Sequence, residues 1–298
     1  MGRRKPTLRV LGKDRQVRRH RLTGVRLPFV AAALAALIAV LAGCGGNGER
    51  PAAKSSAPPP SPTAAKPVPA PATDACYTMS FAEAVAPTAD ASPQACRKPH
   101  TTETYAVGRL DNVVNGHLVA VDSARVQQQV ASACTKPLAT YLGGSTEDIR
   151  LSMLRPVWFT PSIKASEQGA KWYRCDVIAI GGKDKLVSVK GRLKGVLGND
   201  STANTYGLCS TAKPETADSS RVPCGEKHTW KAVSTVTLPA GKYPGEDAAR
   251  TAAEAPCKDA ARDAAADALN FDYGYEWPTK KQWAAGQTYD VCWAPDES

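Results

Sequence analysis

The sequence contains few of the motifs that identify an enzyme. It has no Gly-x-Ser-x-Gly nucleophile elbow, no His-Glu-x-x-His metal motif and no Gly-x-x-x-x-Gly-Lys phosphate loop. Histidine is scarce, with 4 residues in a chain of 298. Because no familiar arrangement of catalytic or metal-binding side chains is present, we expect no catalytic residue, no metal and no cofactor.

Long apolar runs and net charge are scarce as well. The run Phe29–Ala42 has fourteen residues, whereas a membrane-spanning helix needs about 20. Residues 1–28 contain ten of the 38 Lys and Arg but only one of the 28 Asp and Glu, so the remaining chain has 28 basic and 27 acidic residues. A protein region with almost no net charge releases few counterions from the phosphate backbone of a nucleic acid, so we expect no nucleic-acid partner.

The N-terminal region has the parts of a secretory signal, namely a basic stretch, a short apolar run and small residues at its end. Its junction, Leu41-Ala42-Gly43-Cys44, resembles the lipobox of bacterial lipoproteins, in which the cysteine carries a diacylglycerol and the signal is cut before it. We therefore expect a signal peptide over residues 1–43, lipidation of Cys44 and an acyl anchor on the outer face of the cell membrane. An uncleaved signal anchor is the alternative, and the Sec and twin-arginine export routes both stay open.

Residues 44–75 comprise the lipidated cysteine and a segment rich in Pro, Ala and Ser. Such a composition cannot bury a core, and its prolines favour extended polyproline geometry. The segment is therefore predicted to be a disordered linker that holds the folded part away from the membrane.

Eight further cysteines recur with a similar spacing. The two sets are Cys76, Cys96, Cys134 and Cys175, and Cys209, Cys224, Cys257 and Cys292. In both sets the second cysteine begins a Cys-x-x-x-His segment, which predicts two tandem copies over residues 76–200 and 201–298. In an exported chain eight thiols indicate four disulfides. Each copy allows three pairings, and the short loops favour joining the first cysteine to the second and the third to the fourth.

Hydrophobic periodicity predicts one main helix in each copy, with short strands around it. The first helix is expected over Asp122–Leu142, kinked at Pro137, and the second to begin anew at Pro256. The predicted apolar stripes are Val126, Val130, Cys134, Leu138 and Tyr141, and Ala248, Ala252, Cys257, Ala260, Ala261, Ala264 and Ala268. Strand-like runs cover residues 104–107, 149–159, 172–180, 186–189 and 232–238. These elements predict an α+β fold of two tandem disulfide-bonded domains, each a helix packed on a small antiparallel sheet.

Several spaced residues are similar to those of a known family. The pattern consists of Cys96, Pro99, His100 and Glu103 in the first copy, and of the closing residues Pro278, Trp283, Gly286 and Cys292 in the second. It resembles the septum formation domain of actinobacterial exported proteins. Departures are Ser166 at the tryptophan position of the first copy, Lys227 before His228, and Lys231 where Glu103 would align. The resemblance implies an exported, disulfide-bonded module linked to septum formation.

Four side chains are candidates for a binding site, namely His100, Glu103, His228 and Trp230. A Cys₂His metal site would need free thiolates, which oxidised cysteines do not supply. These side chains could instead have a purely structural role. The histidines would then form a hydrogen bond to the backbone beside a disulfide, and the tryptophans would pack in a small core.

Three hypotheses of function follow. The first is a non-enzymatic, lipid-anchored binding or scaffolding module of the cell envelope, whose partner is an envelope protein or a wall component. The second is an envelope hydrolase or metal-dependent enzyme that uses His100 or His228. The third is a lipoprotein that binds a small ligand.

Overall fold

The computed structural model describes residues 66–88 and 91–296. The predicted signal peptide and Cys44 lie outside the described residues, as does most of the linker. Residues 66–75 form no helix or strand. None of the helices in the described ranges is long and apolar enough to cross a membrane.

The first half of the fold is an antiparallel sheet with a long helix on one face. Its elements are β1 (Cys76–Tyr77), α1 (Phe81–Ala84), β2 (Thr102–Arg109), β3 (Val113–Val114), β4 (His117–Leu118), α2 (Ala124–Leu142), α3 (Thr146–Arg150), β5 (Leu154–Phe159), α4 (Ile163–Glu167) and β6 (Trp172–Ala179). The strands are ordered β1-β2-β6-β5, and β3 pairs with β4 in a separate hairpin. The side chain of Ser123 caps the start of α2, and Gly143 ends it in a left-handed conformation.

The second half is a five-stranded sheet that also carries one long helix. It follows a 3₁₀ turn at Val196–Gly198, and its elements are α5 (Asp200–Thr205), β7 (Leu208–Ser210), β8 (Arg221–Pro223), β9 (Trp230–Thr237), α6 (Glu246–Ala264), β10 (Gly274–Glu276), α7 (Lys280–Ala284) and β11 (Tyr289–Pro295). The strand order is β10-β11-β9-β7-β8, and all pairs are antiparallel. The prediction of a mixed α+β fold with antiparallel sheets is confirmed.

The eight cysteines form four disulfides, with the pairing that the sequence favoured. They are Cys76–Cys96, Cys134–Cys175, Cys209–Cys224 and Cys257–Cys292. In the first half Cys76–Cys96 joins β1 to the loop that precedes β2, and in the second half Cys209–Cys224 joins β7 to the residue after β8. The other disulfide of each half joins the long helix to the strand bearing the fourth cysteine. Both sheets are therefore fixed to their helices by a buried covalent bond.

The second long helix differs from its prediction. Residue Pro256 lies inside α6 and does not begin a helix. Its buried stripe is Ala249, Ala253, Cys257 and Ala261. Four predicted positions are exposed instead, namely Ala248, Ala252, Ala264 and Ala268, and the last of these lies beyond the end of the helix. Pro interrupts one backbone hydrogen bond of a helix, but the packing of the alanine stripe on β9 and β11 holds the segment in helical form. Similarly, α2 continues through Pro137 to Leu142.

The two halves share buried contacts. The Met153 amide donates to the Tyr206 carbonyl at 2.7 Å, and the Leu208 amide donates to the Leu151 carbonyl at 2.8 Å. The core around this seam contains Met153, Leu208, Trp230, Ala232, Val291 and Trp293. The described residues therefore belong to one compact unit.

Candidate functional site

Each Cys-x-x-x-His segment holds its histidine against the backbone, beside a disulfide. The Nδ1 atom of His100 lies 2.8 Å from the Lys98 carbonyl, and that of His228 lies 2.7 Å from the Glu226 carbonyl. Since a carbonyl oxygen only accepts, Nδ1 is the donor in both rings. The rings are 1% and 5% exposed. Each histidine therefore forms the hydrogen bond to the backbone that is expected if its role is structural.

Two clusters bring cysteine sulfur atoms near a further metal-ligating group. They are Cys209, Cys224 and His228, and Cys76, Cys96 and Glu103, with ligand atoms within 4.8 Å of one another. In each cluster the two cysteines are bonded to each other. A disulfide sulfur lacks the negative charge with which a thiolate binds a metal ion. The oxidised clusters therefore do not fit a metal site.

Glu103 is fully buried on β2 and accepts three hydrogen bonds. The Tyr141 hydroxyl donates to Oε1 at 2.6 Å, and the Leu193 amide donates to Oε2 at 2.7 Å. The Arg192 guanidinium contacts Oε1 at 3.3 Å. The carboxylate thus joins the end of α2 and the segment at 192–193 to the sheet, and its oxygens are satisfied within the protein.

Lys231 takes the place of Glu103 in the second sheet. Cys76 pairs with Glu103 across β1 and β2, and Cys209 pairs with Lys231 across β7 and β9. The Lys231 ammonium donates an exposed hydrogen bond to Asn204 Oδ1 at 3.0 Å. The two sheets therefore place opposite charges at corresponding registers, so no acid-base pair is common to both.

Trp230 lies in the core at the seam and is 7% exposed. The Lys213 ammonium lies 5.2 Å from its ring centroid. The ring therefore packs against the core and presents no open face of the kind that binds a sugar.

A Ser-x-x-Lys spacing occurs once at β7, between Ser210 and Lys213, but the structure does not make it a catalytic pair. Ser210 is buried, and its hydroxyl donates to the Ala212 carbonyl and contacts the Ser219 hydroxyl, both at 2.8 Å. The Lys213 ammonium binds Asp272 at 2.8 Å. Both groups are engaged with other partners.

A buried ion pair lies on β6 on either side of Cys175. Arg174 Nε is 3.1 Å from Asp176 Oδ1, and neither side chain is more than 4% exposed. The guanidinium lies between the rings of Tyr77 and Phe159, 4.0 and 4.4 Å from their centroids. Burial raises the pKa of Asp176 to about 6, although the charge of Arg174 opposes this rise. The pair joins β6 to β1 and β5.

Asp290 on β11 is a second buried acid. It is fully buried, and neither carboxylate oxygen has a hydrogen-bond partner among the described residues. Burial raises its pKa to about 7. The Tyr243 hydroxyl is also buried without a described partner, and burial and the charges of Glu246 and Asp290 raise its pKa.

A large cleft lies between the two halves and has a volume of about 740 Å³. One wall comes from α2, α3 and β5, and the other from β8, β11 and the segment at α7. Its charged residues are Lys136, Arg150, Arg155 and Arg221, and none of the described residues that line it is acidic. A cleft lined by one sign of charge concentrates ligands of the opposite sign.

Sequence reasoning did not find the cleft or the buried ion pair, although each left a local signal. Arg155 interrupts the apolar run at residues 149–159, and Arg174 and Asp176 occupy one face of a strand that is otherwise apolar. A charge within an apolar strand indicates a buried partner or a ligand. No feature of the sequence indicated that the two walls of the cleft, which come from distant parts of the chain, lie next to each other.

Comparisons with known proteins identify a family. No curated protein and no solved structure matches the chain significantly. The model of the septum formation family matches residues 73–292, a range that covers all four disulfides and both sheets except the last three residues of β11. The chain belongs to the septum formation family.

Proposed function

We propose that the protein is a non-enzymatic binding or scaffolding module of the cell envelope that acts in septum formation. The family match over residues 73–292 carries this proposal. Four disulfides fit an extracytoplasmic protein, because thiols stay reduced in the cytosol. The partner is an envelope protein or a wall component, and no nucleic acid is involved.

The proposal includes an acyl anchor at Cys44 and a signal peptide over residues 1–43. Two or more acyl chains give stable anchoring, so the linker at 44–75 would tether the folded unit to the outer face of the membrane. Mass spectrometry of the exported protein should find lipid on Cys44. The Cys44→Ser variant should leave the membrane fraction.

The proposal also includes an origin by tandem duplication, with copies at residues 76–200 and 201–298. The equivalent disulfides, the two histidine turns and the matching registers of Glu103 and Lys231 support it. A duplicated module offers two related surfaces to a partner.

Localisation in dividing cells tests the septal role. A labelled full chain should concentrate at the division site, and crosslinking there should recover an envelope partner. The Cys44→Ser variant is the matched control, since it keeps the folded unit and loses the proposed anchor. Even labelling around dividing cells, with no partner recovered, would contradict the proposal.

A small-ligand lipoprotein is the second candidate, and the cleft of about 740 Å³ favours it. Such a protein should gain thermal stability when its ligand is present. The enzyme hypothesis has less support, because His100 and His228 are buried and hydrogen-bonded to the backbone. Replacing both histidines in a folded protein should leave the cell phenotype and the metal content unchanged; a change in either would favour an enzyme.

A further inference from the structure

The cleft between the halves has the charge and the polar groups of an anion site. Arg150 lies at the end of α3, Arg155 on the edge strand β5, and Arg221 on β8. Lys136 adds a fourth cation from α2. Four elements of the chain, α2, α3, β5 and β8, thus bring their positive charges to one concave surface.

The cations are only partly neutralised by the protein. Arg221 pairs with Glu276 at 2.8 Å, and Arg150 lies 3.9 Å from Glu147. The hydrogen bonds described for Arg155 all run from Nη1 to backbone carbonyls, at 2.7 to 3.2 Å. Within residues 66–88 and 91–296 no carboxylate forms an ion pair with Arg155 or Lys136. Two of the four positive charges therefore lack a neutralising acid.

Arg155 lines the same cleft as Arg221, and the two positive charges repel each other. Burial lowers its pKa, and the positive charge of Arg221 lowers it further, although Tyr289 opposes this effect. The Arg150 guanidinium lies 4.3 Å from the centroid of the Tyr289 ring, which belongs to the opposite wall, and this contact holds the guanidinium in the cleft. The repulsion between these positive charges raises the free energy of the folded protein, and a bound anion would offset that repulsion.

We propose that this cleft binds a ligand through an oxyanion group, a phosphate or a carboxylate. Guanidinium groups present paired N–H donors that match both groups, and an ammonium adds a point charge. The volume of about 740 Å³ falls within the range of small-molecule sites, roughly 300 to 1,000 Å³. The inference rests on the proposed binding function and names the ligand chemistry of one of its surfaces.

Titration calorimetry of the detergent-purified full chain tests the site, with inorganic pyrophosphate and citrate as probes and sucrose as the neutral control. We expect at least one anion to bind at low ionic strength and its affinity to fall as salt is added. Tighter pyrophosphate binding assigns the site to phosphate ligands, and tighter citrate binding assigns it to carboxylates.

Charge-removing variants separate the cleft from the rest of the surface. Arg221→Gln should weaken binding by about tenfold, the loss of one charge-assisted contact. Lys136→Gln should weaken it by about threefold, and since Lys136 is exposed this variant keeps the fold even if Arg221→Gln does not. The matched controls Arg109→Gln and Lys164→Gln remove equal charges from exposed positions outside the cleft and should keep the affinity within about twofold.

Absence of binding by both anions, or equal losses in the cleft and control variants, would overturn the proposal. Each variant differs from the unmodified protein at one residue, so anion binding elsewhere on the chain affects all of them equally. Because the titration uses purified protein, a negative result leaves the septal role standing. Even labelling of dividing cells would, conversely, leave anion binding in the cleft intact.

Discussion

Asp290 shows how one buried side chain makes stability depend on pH. Its carboxyl is fully buried, has no described hydrogen-bond partner, and has a pKa raised to about 7 by burial. In the unfolded chain an aspartate titrates near pH 3.9. Between these two values the folded state keeps a proton that the unfolded state has lost, so this side chain makes the protein less stable as the pH rises.

The Asp290→Asn variant should reveal this effect, because an amide cannot ionise. Its free energy of unfolding, relative to the unmodified protein, should rise by about 1 to 3 kcal/mol between pH 4 and pH 8. Urea unfolding at several pH values measures it. The exposed Asp111→Asn change is the control and should give a nearly constant difference. Parallel pH curves for Asp290→Asn and the unmodified protein would show that Asp290 is ionised in both states.

Glu103 and Lys231 form a natural comparison, since they occupy corresponding registers of the two sheets. Replacing Glu103 with Gln should lower the free energy of unfolding by about 2 to 4 kcal/mol, because the buried charge-assisted bonds from Tyr141, Leu193 and Arg192 are weakened or lost. The Lys231→Gln control should change it by about 0.5 kcal/mol or less. Equal effects in the two variants, measured by urea unfolding, would contradict a structural role specific to Glu103.

At the scale of elements, the long helices show what the sequence can and cannot specify. The stripe Val126, Val130, Cys134 and Leu138 alternates with polar residues, so its 3.6-residue period predicted the helix and most of its buried face. At the end of the helix Leu142 is buried, and the predicted Tyr141 is half-buried. In α6 alanine occupies nearly every candidate position, so several stripes are equally apolar. Only Cys257, which forms a disulfide with Cys292, indicated from the sequence which face of α6 is buried. The buried register was therefore decided by tertiary packing.

Other differences also arise from long-range pairing. Residues 186–189 read as a strand, but form only isolated bridges, Ile180 with Leu186 and His100 with Val189. The run at 149–159 divides into the end of α3 and β5, because Leu151 and Met153 bond to the second half. The cleft cations come from segments that no local pattern connects. Local periodicity thus predicted the main elements, and the spacing of the cysteines predicted the disulfides, whereas the cleft depended on how the halves meet.

The disulfides allow a prediction at the same scale. In the chain-entropy description a bond that closes a longer loop restricts the unfolded chain more. Cys134–Cys175 spans 41 residues and Cys209–Cys224 spans 15. Replacing both cysteines of the first pair by Ala should lower the free energy of unfolding by about 1 kcal/mol more than doing so for the second. Guanidinium unfolding of the two double variants tests this order, and a larger loss for Cys209–Cys224 would contradict it.

For the whole molecule, the seam between the halves determines whether they unfold together. Besides the shared core, α3 contacts β9 through polar bonds. The Thr235 amide donates to Glu147 Oε1 at 2.7 Å and its hydroxyl donates to Oε2, while Arg150 Nη1 donates to the Thr237 hydroxyl at 3.0 Å. Since buried apolar and polar contacts both cross the seam, we expect a single cooperative unfolding transition.

Removing the Glu147 carboxylate should destabilise the whole unit and not one half. Glu147→Ala leaves the Thr235 amide without its acceptor, so the free energy of unfolding should fall by about 1 to 3 kcal/mol, with the transition still single and its denaturant slope unchanged. Fluorescence and circular dichroism followed through the same urea titration would give coincident curves. The exposed Glu167→Ala change on α4 is the control and should shift the free energy by about 0.5 kcal/mol or less. Two separate transitions in the unmodified protein would show that the seam does not couple the halves.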